Sequence, residues 1–231
     1  MKVLYSLLVF LATTSHLPAQ VQPEYSMQGG RVFFELTSGS QQHEPDAVPH
    51  WSWRIGTGAN AIIGNFYTSG RYTIAGIRHT GGEDFPQSLV SFLRFGGGWM
   101  FQDRYARWTV APMLSAGHTS DRIMPEIGET NLQFDGWGIT PGVEGRYVVY
   151  SSFDPDTPGR SSVFWRTHYI QLEMHRILSE RAYTVASLSY NILFDGYHLT
   201  INAEYNSLNR GARGWLVGLE FGFSWFGYSV R

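Results

Sequence analysis

The chain has 231 residues, 16% of them aromatic and 16% charged, with 26 Gly, no Cys and a formal net charge of -2. Low charge with many aromatics excludes intrinsic disorder, and a near-neutral chain carries no electrostatic footprint for nucleic acid. Without Cys there is neither a disulfide framework nor a residue to acylate as a lipoprotein.

Residues 1–19 read as a secretory signal: Lys2, the apolar run from Val3 to Ala12, then small and polar residues, with cleavage expected after Ser15 or Ala19. The run is too short to cross a bilayer as a helix, and no later segment approaches about 18 consecutive apolar residues. If residues 20–231 enter a membrane, they do so as a closed sheet, the other structure that pairs every backbone group. Alternation and turn chemistry predict about ten strands (roughly 8–12) in this single domain, at roughly 31–38, 51–66, 71–80, 88–101, 105–117, 131–150, 162–177, 182–193, 197–206 and 214–228. Thr68-Ser69-Gly70, Gln102-Asp103-Arg104 and Asp195-Gly196 have the composition of tight turns. Segment 131–150 is kept whole, with Pro141 as a bend or bulge. An even count returns both termini to the periplasmic side and puts loops 39–50, 81–87, 118–130, 178–181 and 207–213 outside.

The faces of the strands differ sharply. Trp215, Val217, Leu219, Phe221, Phe223 and Trp225 alternate with Leu216, Gly218, Glu220, Gly222 and Ser224. Aromatics at both ends and aliphatics between are the pattern of a strand wetted by lipid. Tyr197, Leu199, Ile201, Ala203 and Tyr205 repeat it, opposite His198, Thr200, Asn202, Glu204 and Asn206. Trp215, Trp225, Tyr197 and Tyr205 are therefore expected in an aromatic girdle. By the same alternation Arg94, Arg107, Glu144, Arg146, Glu173, His175, Glu204 and Glu220 point into the lumen. A barrel of about ten strands has little interior space, so mixed charges are expected to pair and plug it. Glu173 and His175 fit a salt-bridge ladder better than proton chemistry. Gly96-Gly97-Gly98 is no phosphate loop, because no helix follows.

One short motif carries candidate chemistry. His118 and Ser120, in Gly117-His118-Thr119-Ser120-Asp121, lie two apart at the outer end of the predicted strand 105–117, and continuing its alternation puts both on the lipid side. A serine activated by a histidine can attack an ester, and Asn131, Gln133, Glu129 or Glu126 would orient the imidazole. The arrangement resembles the His-x-Ser motif of the outer-membrane phospholipase A and lipid A deacylase families. In the first an asparagine on the following strand completes the triad, here Asn131; in the second the third residue is glutamate. Asp121 departs from both, and the motif lies mid-chain rather than near the C-terminus as in the deacylases. The acids Asp121, Glu126, Glu129 and Asp135 offer calcium, or lipopolysaccharide phosphates bridged by divalent cations, a set of carboxylates. His43 and His50, with Glu44 and Asp46, match no metal spacing, and no other cofactor motif is present.

The expected protein is thus an all-β, antiparallel transmembrane β-barrel, monomeric, in a Gram-negative outer membrane. Its expected partners are outer-membrane lipid, lipopolysaccharide and the barrel-insertion machinery; nucleic acid is not among them. Segment 215–225 resembles the C-terminal insertion signal of such barrels, although Phe226 to Arg231 follow it. The role expected is structural, surface-interacting or small-solute passage in a closed, internally salt-bridged barrel. The alternatives are a lipid hydrolase using Ser120 and His118, and a soluble exported β-sandwich binding carbohydrate.

Overall fold

The computed structural model describes residues 25–42, 50–78, 87–103, 106–124, 132–151, 167–178, 183–194, 196–208 and 213–230. The proposed signal segment, the acids Glu126 and Glu129, Asn131 and His43 lie outside them. The strands are β1 (Tyr25–Gln42), β2 (His50–Ile63), β3 (Phe66–Arg78), β4 (Gln87–Trp99), β5 (Phe101–Gln102), β6 (Trp108–Met124), β7 (Leu132–Ser151), β8 (Thr167–Ile177), β9 (Tyr183–Phe194), β10 (Tyr197–Leu208), β11 (Arg213–Ser224) and β12 (Gly227–Val230). β1–β4 and β6–β11 pair in sequence, each antiparallel to its neighbour, and β11 returns to β1 over Arg31↔Ser224 to Gln42↔Arg213. Ten long strands therefore close into a barrel with no free edge, which removes the liability of exposed backbone groups in lipid. Closure also rules out the two-sheet sandwich.

The short strands prolong the same ladders. β5 continues β4 past Met100 and pairs with Val110 and Thr109, and β12 continues β11 past Trp225-Phe226 to pair with Tyr25–Gln28. Segment 214–228 is thus broken at 225–226: Trp225 stays outside while Phe226 turns in and is buried. Gly29, at φ +117°, lies opposite this break. A bulge separates Val148 from Tyr150 on β7, leaving Val149 and Tyr150 both exposed. Pro141 does not end β7. It faces out opposite Leu114, and where its missing N–H would serve β8 the ladder lapses between Gly142↔His175 and Ile139↔Leu178.

Several expected boundaries move, and the first strand runs over 25–42 rather than 31–38. The turn between β2 and β3 is Gly64-Asn65, closed by the Ile63↔Phe66 pair, not Thr68-Ser69-Gly70. Gly64 adopts φ +63°, which a two-residue hairpin demands, whereas Thr68, Ser69 and Gly70 continue β3. The turn expected at Gln102-Asp103-Arg104 closes later: Asp103 N–H donates to Trp108 O, Trp108 N–H to Asp103 Oδ1, and Ala106 sits at φ 51°. β6 consequently begins at Trp108 and runs to Met124, so Gly117-His118-Thr119-Ser120-Asp121 lies within a strand rather than at its outer end.

Because the chain lacks Cys, closure has a clean test. Leu36 and Leu219 are exposed cross-strand partners on β1 and β11, a separation a disulfide spans. Leu36→Cys/Leu219→Cys is expected to crosslink intramolecularly in the folded, heat-modifiable form, read on a gel before and after reduction; a chain that crosslinks only between molecules would contradict closure.

Candidate functional site

Each strand turns one face to lipid and one to the lumen, so the site is assembled from alternate residues of nearly every strand. On the outside, Phe34, Leu36, Leu219 and Phe221 are 53–60% exposed, a surface water would reject. Aromatics ring both ends. Tyr205 stacks on Trp215 at 5.1 Å, and Trp51 lies in the same cross-strand row through Ser40. At the other end Tyr197 stacks on Phe223 at 5.4 Å, Phe66 pairs with Trp99 and Trp108 with Tyr147. From Trp215 to Trp225 the strand advances ten residues, about 33 Å at the usual rise. At a tilt of about 40° that spans about 25 Å, the height of an outer-membrane apolar band. The architecture is that of an outer-membrane β-barrel. Such barrels reside in bacterial outer membranes.

The lumen is full and charged. Arg31, Arg54, Arg71, Arg94 and Arg146 face Glu35, Glu144, Glu173, Glu204 and Glu220, none more than 14% exposed at its side chain. Arg54 on β2 holds Glu204 on β10 through both carboxylate oxygens, with Nη2 donating to Oε2 at 2.6 Å, and its Nε lies 3.3 Å from Glu35. Arg71 on β3 donates to Glu35 on β1 and lies 3.9 Å from both Glu173 and Glu204. Arg94 on β4 donates to Glu173 on β8 and, at 2.6 Å, to His175 Nδ1. These contacts cross the lumen and tie β1, β2, β3, β4, β8 and β10 into one network.

Two further groups lie nearer the turn end. Arg31 pairs with Glu220 at 3.1 Å and donates to Tyr169 Oη at 3.2 Å and Asn191 Oδ1 at 3.0 Å; Thr200 also donates to Asn191, at 2.7 Å. His198 Nε2 lies 3.2 Å from Glu220. Arg146 donates from Nε to Glu144 at 2.7 Å, and its guanidinium sits over Tyr67 at 5.0 Å and over Tyr169 and Phe226 at 5.6 Å. Below this cage Ile62, Met100, Ala111, Met113, Leu193 and Phe226 pack as an apolar cluster. Among the described residues, two cavities, each with about 30 Å³ of room for water-sized molecules, share Arg71 and Arg94 in their walls.

Glycines make the space these side chains fill. A Cβ on Gly56 would meet Glu35 Oε1 at 2.4 Å, on Gly142 the Cβ of His175 at 2.8 Å, and on Gly222 the Cε1 of His198 at 2.8 Å. A small residue on one strand thus accepts a large one from its neighbour.

Of the residues expected in the lumen, Arg94, Glu144, Arg146, Glu173, His175, Glu204 and Glu220 are there. Arg107 is not: it is exposed in the bend before β6, because the positive φ at Ala106 breaks the alternation extrapolated from Thr109. Arg31, Glu35, Arg54 and Arg71 were not anticipated, although Val32, Phe34 and Leu36 opposite Arg31 and Glu35 carry the signal. On the outer face His118 and Ser120 do share the lipid side. The β7 residue opposite His118 is Trp137, and the two rings lie 4.9 Å apart. Asn131 lies outside the described residues, and the first described residue of β7, Leu132, pairs with Ile123, five residues beyond His118, or about 16 Å along the strand. Trp137 therefore occupies the place where a third polar group would orient the imidazole.

Neither a protein-family model nor a curated protein matches the chain. Among solved structures it is similar to the β domain of the Bordetella autotransporter BrkA, at 14% identity over 85% of this chain and 100% of that one, with a TM-score of 0.45. It is similar to the translocator domain of autotransporter NalP from Neisseria meningitidis, at 13% identity over 95% and 94%, with a TM-score of 0.43. It is also similar to Ail, the attachment invasion locus protein of Yersinia pestis, at 8% identity over 86% and 99%, with a TM-score of 0.39. The architecture rests on the closed ladder and its two unlike faces, not on these likenesses.

Two outcomes are expected. Glu204→Met should lower stability in detergent by about 3–5 kcal/mol, because it strips Arg54 of its bidentate partner, while Arg54→Met/Glu204→Met should recover much of the loss; denaturant midpoints of the set read this. Fatty-acid release from phospholipid or lipid A should be negligible and equal for the wild type and Ser120→Ala, and Ser120-dependent release would show that the motif works despite Trp137.

Proposed function

We propose that this chain is a closed, non-conducting outer-membrane barrel that serves as a rigid membrane scaffold, holding its connecting loops at the membrane surface. One observation carries the reading: guanidinium–carboxylate bridges span the lumen from wall to wall above an apolar layer centred on Phe226. A solute path needs continuous polar space. The two cavities that Arg71 and Arg94 share hold a few waters each, at about 10–15 Å³ per water. Among the described residues each lumenal glutamate has an arginine within salt-bridge distance. The small-solute role accordingly has the least support.

What such a barrel offers its surroundings is shape held by a stiff interior. The strand ends Gln42 and His50, Arg78 and Gln87, Met124 and Leu132, Ile177 and Tyr183, and Leu208 and Arg213 all lie at one end of the barrel. An interaction role would act from that end.

Single-channel recording in planar bilayers tests the proposal. Purified protein inserted in its heat-modifiable form should give no steady conductance; a stable, large conductance from the wild type would refute the plug.

A further inference from the structure

The lumen accounts for every described glutamate, but not for every arginine. Arg107, in the bend before β6, and Arg176 and Arg213, on the outward faces of β8 and β11, are exposed. Among the described residues none of the three has an ion-pair partner, and no exposed Asp or Glu accompanies them.

Two of them are placed in order. Arg176 on β8 pairs with Thr184 on β9, Thr184 with Ser207 on β10, and Ser207 with Arg213 on β11. These residues form one cross-strand row on the outward face, with two hydroxyls framed by two guanidiniums. Three strand spacings separate the arginine Cα atoms by about 14 Å. Their long stems let both heads lean over the hydroxyls between them.

The row also sits at a defined depth. Two residues toward the middle of the barrel, the next outward row is Met174, Ala186, Tyr205 and Trp215, with the last two stacked. Tyr and Trp of such belts lie at the level of lipid headgroups. The arginines therefore stand just beyond the apolar band, where the anionic group within reach is a lipid phosphate.

We propose that Arg176, Thr184, Ser207 and Arg213 form a binding site for a phosphorylated lipid headgroup of the leaflet on the loop side. Guanidinium groups grip phosphate oxygens through paired, charge-assisted hydrogen bonds. The hydroxyls donate to the same oxygens, and Tyr205 and Trp215 support the apolar part below. A lipid is the occupant because the row is continuous with the lipid-wetted belt. The site rests on that belt lying in a bilayer, which insertion reads separately.

The test uses the full chain in detergent micelles, titrated with diphosphoryl lipid A, dephosphorylated lipid A and inorganic phosphate, with bound lipid counted by native mass spectrometry. Wild type should bind diphosphoryl lipid A saturably. Arg176→Gln and Arg213→Gln should each weaken it about fivefold, and Arg176→Lys/Arg213→Lys should keep more affinity than the double glutamine variant. Dephosphorylated lipid A should bind the wild type no better than diphosphoryl lipid A binds the double glutamine variant. Arg107→Gln, at the opposite rim, should change nothing. Equal lipid A affinity in Arg176→Gln/Arg213→Gln, with heat-modifiable migration intact, would overturn the site. So would competition by inorganic phosphate at the concentration of lipid A, which marks a free-anion site. A wild type that never acquires heat-modifiable migration would instead overturn the barrel in lipid, and the site with it.

Discussion

Inside a cylinder of ten strands there is room for side chains but not for bulk water, so a carboxylate brought there must find a guanidinium. That constraint organises the interior. Glu35, Glu173 and Glu204 are shared among Arg54, Arg71 and Arg94, and Arg71 alone stands within reach of all three acids. No pair in this layer is independent of the next. A buried ion pair contributes little over an apolar pair of the same volume, yet removing one partner is costly. The network is therefore better understood as a device that fixes which strands face each other across the lumen than as a source of net stability.

The same constraint explains the pattern of bulk along the strands. Glu35 lies over Gly56, His175 against Gly142, and His198 beside Gly222. Each large polar side chain is accommodated by a glycine on the adjoining strand, so charge and space are distributed together around the wall. Toward the turn end the polar layers give way to Tyr67, Tyr169 and Phe226 around the Arg146 guanidinium, and then to an apolar cluster. The described interior thus has two layers, one of ion pairs and one of apolar packing. Outside, lipid asks only for apolar surface, and the aromatic belts set the height at which it is met.

Much of this is legible in the sequence because a strand between two unlike solvents must alternate. Segments 197–206 and 215–225 show it without interruption, and the facing of Glu204 and Glu220 follows. The signal fails where a local conformation breaks the period. Positive φ at Ala106 puts Arg107 outside. Gly64-Asn65 and Thr68-Ser69-Gly70 have the same turn chemistry, and choosing the second hid Arg71 from the lumen. The β2 glycines Gly56 and Gly58, which interrupt its alternation, are those that admit Glu35 and Phe33, so the inward facing of Arg54 is concealed by the feature that accommodates its partner Glu35. His118 and Ser120 were placed on the correct face, but alternation along one strand says nothing about what stands opposite. Trp137 became visible only with the register between β6 and β7.

Charge is sorted between the two faces: described glutamates turn inward to arginine, while the arginines left over stand at the rims. If ion pairs and packing plug the barrel, the middle of its lumen is closed to solvent. A single cysteine in this Cys-free chain measures that without background. Ser187, buried on the inner face of β9 beside the charged layer, is the position to use. A charged methanethiosulfonate reagent added to folded Ser187→Cys should react far more slowly than with the unfolded chain, from whichever side it is added. Modification of the folded barrel at the unfolded rate would mean that water and ions already pass where the arginines and glutamates are held to meet.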